Sequence, residues 1–188
     1  MVNSLDVSDF LGRWTLILGE VNTGKTSLCR DILLKMLGRG LADRIVIIDL
    51  APEIPETVML NRKMEGIGGK LLPPEEESVI YLSERLVPPR LTSKTDEEAI
   101  EKAHQNALKI MNLLKEYNIL GRDILFVNDI SLALQAETAK RMVELMRNAE
   151  TLVANGYYGK ELGVSILSQR ERQEMDLLKR HFHRITST

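Results

Sequence analysis

The feature that most constrains the fold is a glycine-rich octapeptide between a short apolar run and an amphipathic segment. The octapeptide extends from Gly19 to Thr26, and the apolar run before it is Trp14–Leu18. After it, residues 26–37 place their apolar side chains on one face at helical spacing. A buried strand that leads into a helix is the first half of a strand-helix-strand unit, and this favours a parallel sheet.

The octapeptide also contains the residue types that bind phosphate. It matches the pattern G-x-x-x-x-G-K-[ST], in which a loop nearly free of Cβ atoms wraps around phosphate oxygens. The main-chain amides of residues 22–26 would point inward, and the helix N-terminus adds a partial positive charge. Lys25 would neutralise the β- and γ-phosphates, and the Thr26 hydroxyl would ligate Mg²⁺.

The rest of the chain continues to alternate apolar runs with helical patterns, which predicts one domain over residues 1–188. The predicted strands are 14–18, 44–48, 79–82, 123–127, 151–154, 164–167 and 184–187, and the predicted helices are 26–37, 96–117, 136–146 and 169–182. All six prolines lie within residues 50–94. Because this stretch is longer than an ordinary loop, we expect a Pro/Gly-rich flap insertion that faces the substrate.

On residues 16–26, and more loosely over the whole alternation, the chain resembles the P-loop NTPase superfamily. The resemblance implies a three-layer, doubly wound α/β fold with a mostly parallel sheet and a Mg·ATP site at the carboxyl ends of the strands. The nucleotide-binding residues that we predict are Gly19, Glu20, Val21, Asn22, Thr23, Gly24, Lys25, Thr26, Ser27 and Asn155.

Asn155 is included because it follows the predicted strand 151–154. P-loop GTPases place a base-reading Asn after a late strand, within the motif N-K-x-D. The Lys and the Asp of that motif are absent here, so ATP is favoured over GTP.

The same resemblance implies an Asp at the end of another strand, where it holds Mg²⁺ directly or through water. Asp49 and Asp129 both follow apolar strands, so the predicted metal ligands are Thr26, Asp49 and Asp129. In many P-loop ATPases a Glu comes next and activates water, whereas here Ile130 follows Asp129. The remaining candidate bases are loop carboxylates, each of which could equally be a solvated surface group: Glu20, Glu53 and Glu56.

The flap supplies one further candidate, Arg90, on the rigid segment Pro88–Ser93. A flap Arg could stabilise the charge of a transferred phosphoryl group, or it could lie on the surface. Residues 64–70 form a second glycine cluster, which could bind an anion or serve only as a turn. The catalytic residues that we predict are Lys25, Asp129 and Arg90, with an acceptor or protein partner at the flap.

Composition limits the partners and the location. With 25 Lys+Arg against 27 Asp+Glu the formal net charge is −2, so the net charge does not support nucleic-acid binding. The single cysteine excludes an internal disulfide, and no segment approaches the roughly 18 apolar residues of a membrane span. We expect a cytoplasmic protein without membrane contact, and the sequence leaves a homo-oligomer open.

Together these observations predict a Mg²⁺-dependent ATP-binding protein that hydrolyses ATP or transfers its phosphoryl group to an acceptor. Because no acidic residue follows Asp129, a slowly hydrolysing switch or assembly subunit is the main alternative. A nucleic-acid-acting ATPase or a polynucleotide kinase-like enzyme is a further alternative.

Overall fold

The structure is a computed structural model that describes residues 6–55, 69–74 and 78–188. Its strands are β1 (Trp14–Gly19), β2 (Ile45–Asp49), β3 (Ile80–Ser83), β4 (Ile124–Asn128), β5 (Thr151–Tyr157) and β6 (Arg184–Ser187). Its α-helices are α1 (Lys25–Leu37), α2 (Pro89–Thr92), α3 (Asp96–Leu120), α4 (Ala139–Met146) and α5 (Ile166–Leu178). Short 3-10 turns cover Val7–Asp9, Ala42–Arg44, Ile130–Gln135 and Lys179–His181.

The strands form one sheet in the order β3-β2-β4-β5-β1-β6, and every neighbouring pair is parallel. All residues of β2, β4 and β5 are buried, as expected for strands covered on both faces. Because the strands are parallel, their carboxyl ends all lie at one edge of the sheet.

Successive strand residues pack on opposite faces, which creates three layers. Ile17, Ile47 and Phe126 belong to a core that includes the buried face of α1. Their neighbours in the strands, such as Leu16 and Ile48, belong to a second core with α3, α4 and α5. The predicted three-layer, parallel α/β fold class is confirmed.

The longest helix, α3, has a recognisable cap at each end. The Thr95 side chain accepts a hydrogen bond from the Glu98 amide at 3.2 Å, and the Glu98 carboxylate accepts one from the Lys94 amide at 2.9 Å. Gly121 ends the helix in the left-handed conformation, with φ of 67°. The helix extends three residues beyond the predicted end at residue 117.

Several predicted boundaries on the carboxyl-terminal side are wrong. The strand predicted at 151–154 continues to Tyr157, and the strand predicted at 164–167 does not exist, because α5 begins at Ile166. The helix predicted from residue 136 begins at Ala139, after a cap in which the Thr138 side chain accepts from the Arg141 amide. The predicted strand 79–82 is present as β3 with a shift of one residue, and the predicted strand 184–187 is present as β6 with the same bounds.

In the region predicted as a flap, the described residues contribute β3, which pairs with β2, and the short helix α2. Whether this region is an insertion in a single domain stays a prediction. Within the described part of the chain, no helix has both the length and the apolar character needed to cross a membrane.

Candidate functional site

The loop between β1 and α1 has the tight conformation that its glycines predict. Gly24 has φ of 89° and directly precedes the first turn of α1, where a Cβ would be strained. Asn22 also has a positive φ, of 59°. Gly19 is needed for space, because a Cβ there would lie 2.6 Å from the hydroxyl oxygens of both Thr23 and Thr188. The loop thus turns sharply and stays close to the end of β6.

Lys25 and Thr26 lie at the start of α1 and face the ends of other strands. The Lys25 ammonium donates a hydrogen bond to the main-chain carbonyl of Glu20. Partial burial lowers the pKa of Lys25, and the negative charges of Asp129 and Glu20 oppose this. The Thr26 hydroxyl donates to the Asn128 side-chain oxygen at 3.4 Å, which links α1 to the end of β4.

Asp129 follows β4 and points toward the same region. Its φ is 59°, and its main-chain amide donates to the side-chain oxygen of Asn155 at 3.0 Å. Its carboxylate accepts from the Ser131 hydroxyl at 2.6 Å. Burial raises the pKa of Asp129, whereas the Ser131 hydrogen bond and the charges of Arg90 and Lys25 lower it. The predicted catalytic residues Lys25, Asp129 and Arg90 therefore lie within electrostatic reach of one another.

Asp49, the other predicted metal ligand, is in a different environment. It is completely buried, and its carboxylate accepts four hydrogen bonds. The donors are the amides of Ala51 at 3.0 Å and Leu71 at 2.7 Å, the Asn128 side chain at 2.8 Å and the Tyr81 hydroxyl at 2.8 Å. Because these donors occupy both oxygens, a metal would have to displace one of them, and the metal contact of Asp49 stays a prediction. In the structure the carboxylate joins β2, β3 and β4.

Asn155 also differs from its predicted position. It lies inside β5 rather than after it, and it is buried. Its amide nitrogen donates to the Asn128 side-chain oxygen at 2.8 Å and to the Cys29 sulfur at 3.3 Å. Its side-chain oxygen accepts from the Asp129 amide. Its polar groups thus position the end of β4. The predicted placement of Asn155 after the strand is wrong, whereas its contact with a nucleotide stays a prediction.

Arg90 is directed inward, as the flap hypothesis required. Its guanidinium pairs with Glu171 at 3.1 Å, and the two side chains are only 11% and 4% exposed. It also lies over the Tyr157 ring, 5.3 Å from the centroid, and donates to the Ser168 hydroxyl at 3.3 Å. Burial raises the pKa of Glu171 to about 7, although the charge of Arg90 and a hydrogen bond from Gln135 oppose the shift.

A cavity of about 460 Å³ lies at the carboxyl edge of the sheet, and several of these groups line it. The predicted site residues that line it come from the β1–α1 loop and the start of α1 (Val21, Asn22, Gly24, Lys25, Thr26, Ser27), from the end of β4 (Asp129), from β5 (Asn155) and from α2 (Arg90). Three predicted residues of the loop do not line the cavity: Gly19, Glu20 and Thr23. The Thr23 hydroxyl instead donates to the Glu20 carbonyl at 3.0 Å, a contact within the loop. The volume is in the range typical of small-molecule sites.

The two candidate bases that the structure describes, Glu20 and Glu53, do not line this cavity. The Glu20 carboxylate accepts from the Lys160 amide at 2.6 Å, and Glu53 pairs with Arg85 at 2.9 Å. Glu56 and most of the glycine cluster 64–70 lie outside the described residues. In the described ranges, no three His, Cys, Asp or Glu residues come close enough to hold a metal by themselves.

The sequence analysis missed three residues at the site. Asn128 joins Asp49, Asn155 and Thr26, and its polar side chain at the end of an apolar strand was a visible signal. Gln135 and Glu171 contact each other at 2.8 Å inside the protein. Glu171 lies in the predicted helix 169–182, but its burial and its contact with Gln135 join two distant segments, and no local pattern indicates such a contact.

Comparison with known proteins gives similarity at the level of the fold. No protein-family model matches the chain, and no curated protein matches it. The structure resembles the flagellar accessory protein FlaH from Methanocaldococcus jannaschii, with a TM-score of 0.50 and 9% identity over 100% of this chain and 78% of that one. A weaker match is the Pif1 helicase from Candida albicans, with a TM-score of 0.37 and 17% identity, where the chain covers 39% of that protein.

The sheet topology and the likeness to FlaH agree on the architecture. The sheet has six parallel strands with helices on both faces, and a glycine-containing loop joins β1 to α1 at the carboxyl edge. The chain therefore has the three-layer α/β fold of P-loop NTPases.

Proposed function

We propose that this chain binds the Mg²⁺ complex of ATP on the Gly19–Thr26 loop and hydrolyses it or transfers its γ-phosphoryl group. The observation that carries the proposal is the shared cavity of Lys25, Thr26, Asp129 and Arg90. A P-loop sequence alone predicts phosphate binding. The additional carboxylate and guanidinium on the same cavity supply the groups that phosphoryl transfer requires.

Each of these residues has a chemical role in the proposed site. The Lys25 ammonium, which donates to the Glu20 carbonyl, can instead donate to phosphate oxygens. Phosphate charge would also favour the protonated form of Lys25, whose pKa is lowered by burial. The helix N-terminus of α1 adds main-chain amides and a favourable dipole.

The donor set also fits Mg²⁺, which prefers hard oxygen ligands. The Thr26 hydroxyl and the Asp129 carboxylate would hold the ion, and Asn128 orients the Thr26 hydroxyl through their hydrogen bond. When bound, Mg²⁺ supplies positive charge that neutralises the phosphate oxygens. Arg90 is held near Asp129 and can stabilise negative charge that develops during transfer.

A slowly hydrolysing switch is the second candidate function, and one observation favours it. Ile130, which follows Asp129, is buried and offers no base. Glu20 and Glu53 are engaged elsewhere, by the Lys160 amide and by Arg85. Among the described residues, the carboxylate that lines the cavity is therefore that of Asp129, which already accepts from Ser131. In either case an acceptor or protein partner would contact the flap side.

Isothermal titration of Mg·ATP into the wild type and into Lys25→Ala tests the proposal. We expect the variant to bind about 10- to 100-fold more weakly, because it loses a charge-assisted hydrogen bond to phosphate. Lys115→Ala, on the exposed face of α3, is the matched control and should bind like the wild type. Absence of binding by any adenine or guanine nucleotide, or full affinity in Lys25→Ala, would refute the site.

Phosphate release by the wild type then separates the two candidate functions. Rapid turnover without any added partner supports an ATPase and contradicts the switch. Binding with very slow release supports the switch. The Thr26→Ala variant should bind ATP with a weaker dependence on Mg²⁺ concentration.

A further inference from the structure

The cavity is lined by a second lysine, Lys70, that the proposed function does not use. Lys70 is the last residue of the glycine cluster 64–70, for which the sequence leaves open an anion site or a turn. Its side chain is exposed, and it lines the same cavity as Lys25, Thr26 and Asp129. An accessible ammonium group on a cavity that is proposed to hold a triphosphate is a candidate phosphate ligand.

The backbone on both sides of Lys70 is fixed to the ends of two central strands. The Gly69 carbonyl accepts a hydrogen bond from the Asn128 side-chain nitrogen at 2.8 Å. The Leu71 amide donates to the Asp49 carboxylate at 2.7 Å. Asn128 is the last residue of β4 and directly precedes the proposed Mg²⁺ ligand. Lys70 is therefore anchored at the side of the cavity where the metal would be held.

The ammonium group of Lys70, in contrast, has a contact that a phosphate can replace. It donates to the main-chain carbonyl of Ala51 at 3.3 Å, and within the described ranges no carboxylate forms an ion pair with it. The Lys25 ammonium is in a similar position, because it donates to the carbonyl of Glu20. A hydrogen bond from an ammonium to a phosphate oxygen is charge-assisted and stronger than one to a neutral carbonyl. A bound triphosphate would therefore draw both ammonium groups away from these carbonyls.

The anchoring of Lys70 also indicates which phosphate it would contact. In the sheet, β5 separates β1, which leads into the phosphate loop, from β4, which leads to the proposed metal ligand. In phosphoryl-transfer sites the metal ion bridges oxygens of the β- and γ-phosphates. A triphosphate held by the β1–α1 loop would thus extend its terminal phosphate toward the β4 side, where Lys70 is anchored.

We propose that Lys70 binds the γ-phosphate of ATP, as a second phosphate-binding lysine that acts from the side opposite the β1–α1 loop. This inference rests on the proposed function, because it takes Mg·ATP as the ligand. Since ADP lacks the γ-phosphate, Lys70 is the residue that distinguishes ATP from ADP. Such a residue serves an ATPase and a slowly hydrolysing switch equally, because both must recognise the terminal phosphate.

Calorimetric titrations of the full chain with Mg·ADP and with the Mg²⁺ complex of the β,γ-imido analogue of ATP test the proposal. The informative variant is Lys70→Met, which keeps an unbranched apolar side chain and removes the charge. We expect it to bind the ATP analogue about tenfold more weakly and Mg·ADP within about twofold of the wild type. Lys25→Ala should instead weaken both nucleotides, because both contain the β-phosphate.

Two further variants separate a phosphate contact from a general effect of charge or structure. Lys109→Met is the matched control, because the Lys109 ammonium also donates to a main-chain carbonyl, that of Arg85 at 2.6 Å, but does not line the cavity. It should bind both nucleotides like the wild type. Lys70→Arg keeps the positive charge and should recover most of the affinity for the ATP analogue. Urea unfolding of Lys70→Met should have the midpoint of the wild type, because the side chain is exposed.

Two results would overturn the role of Lys70. The first is that Lys70→Met binds the ATP analogue with the affinity of the wild type. The second is that the variant weakens Mg·ADP as much as the ATP analogue, because Lys70 would then not act on the γ-phosphate. A failure of the proposed function is recognised separately, since the wild type itself would then bind neither nucleotide, and the role of Lys70 would fall with it.

Discussion

Three buried side chains at neighbouring strand ends fix the positions of the cavity residues. Asp49, Asn128 and Asn155 come from β2, β4 and β5, which are adjacent in the sheet. Asn128 donates to Asp49 and accepts from Asn155, each at 2.8 Å. A buried polar group that loses its partner costs about 1–3 kcal/mol, so each of the three depends on the others. The Asn155 side-chain oxygen accepts from the Asp129 amide, so these three side chains also fix the position of Asp129.

The environment of Asp49 predicts a large effect of Asp49→Asn on stability. The new amide nitrogen would face donors that need an acceptor, so we expect the free energy of unfolding to fall by about 2–4 kcal/mol. Urea unfolding monitored by circular dichroism measures this. Asp43→Asn, at an exposed position, is the control and should stay within about 0.5 kcal/mol of the wild type.

The same variant distinguishes the structural role of Asp49 from a metal role. If Asp49→Asn kept wild-type stability but lost the Mg²⁺ dependence of nucleotide binding, Asp49 would be a ligand after all. The four hydrogen bonds to its carboxylate make the opposite result the expected one.

At the scale of elements, the β1–α1 loop depends on the close approach of β6. A Cβ on Gly19 would lie 2.8 Å from the main-chain oxygen of Thr188, and a backbone atom cannot move aside as a side chain can. Gly19→Ala should therefore displace the loop or β6, lower the unfolding free energy by about 1–3 kcal/mol and weaken Mg·ATP binding. Chemical unfolding and calorimetry measure the two effects.

Gly38→Ala is the matched control for this loop variant. Gly38 has φ of −60°, and a Cβ there would be 3.5 Å from its nearest neighbour, which is ordinary contact. We expect stability equal to or slightly above that of the wild type, because alanine restricts the unfolded chain. Equal behaviour of the two variants would show that the approach of Thr188 does not constrain the loop.

The elements that the sequence predicts well are those with an uninterrupted pattern. Helix α1 and strand β4 have continuous apolar faces or runs, and α3 also has a capping signal at Thr95. Strand β5 was predicted too short because Asn155 and Gly156 interrupt its apolar run. These residues remain in the strand because tertiary partners, Asn128 and Asp129 among them, satisfy the Asn155 amide.

For the site, the sequence predicts residues that lie together in one segment, such as the β1–α1 loop. It does not predict contacts between residues that are distant along the chain. The loop residues are local, and a strand-loop-helix pattern is sufficient to place them. Whether Asp49 or Asp129 is available to a metal depends on which hydrogen-bond donors lie against each carboxylate in the folded protein. For Asp49 these include the Leu71 amide and the Tyr81 hydroxyl, both from the region between β2 and α2. No local pattern contains that information.

At the scale of the whole molecule, the strand order determines which groups share the cavity. Strands β1 and β4 are not neighbours, because β5 lies between them. The β1–α1 loop and Asp129 therefore face each other across the end of β5, and this gap forms part of the cavity. Helix α2 then contributes Arg90, which the buried Glu171 of α5 holds in place.

This buried ion pair gives the molecule a distinctive dependence of stability on pH. Burial raises the pKa of Glu171 from 4.5 to about 7, so the folded state holds its proton more tightly than the unfolded state. The corresponding stabilisation is fully present below about pH 4.5 and is lost as the pH rises through about 7. Glu171→Gln mimics the protonated form at every pH.

We therefore expect Glu171→Gln to gain stability relative to the wild type as the pH increases, by roughly 3 kcal/mol between about pH 4.5 and pH 7.5. Urea unfolding of both proteins across this interval measures the difference. Glu116→Gln, an exposed change on α3, controls for the loss of one negative charge. If the unfolding free energies of the wild type and Glu171→Gln changed with pH in parallel, the Glu171 carboxylate would be solvated in the folded protein. The ion pair with Arg90 would then not close this side of the cavity.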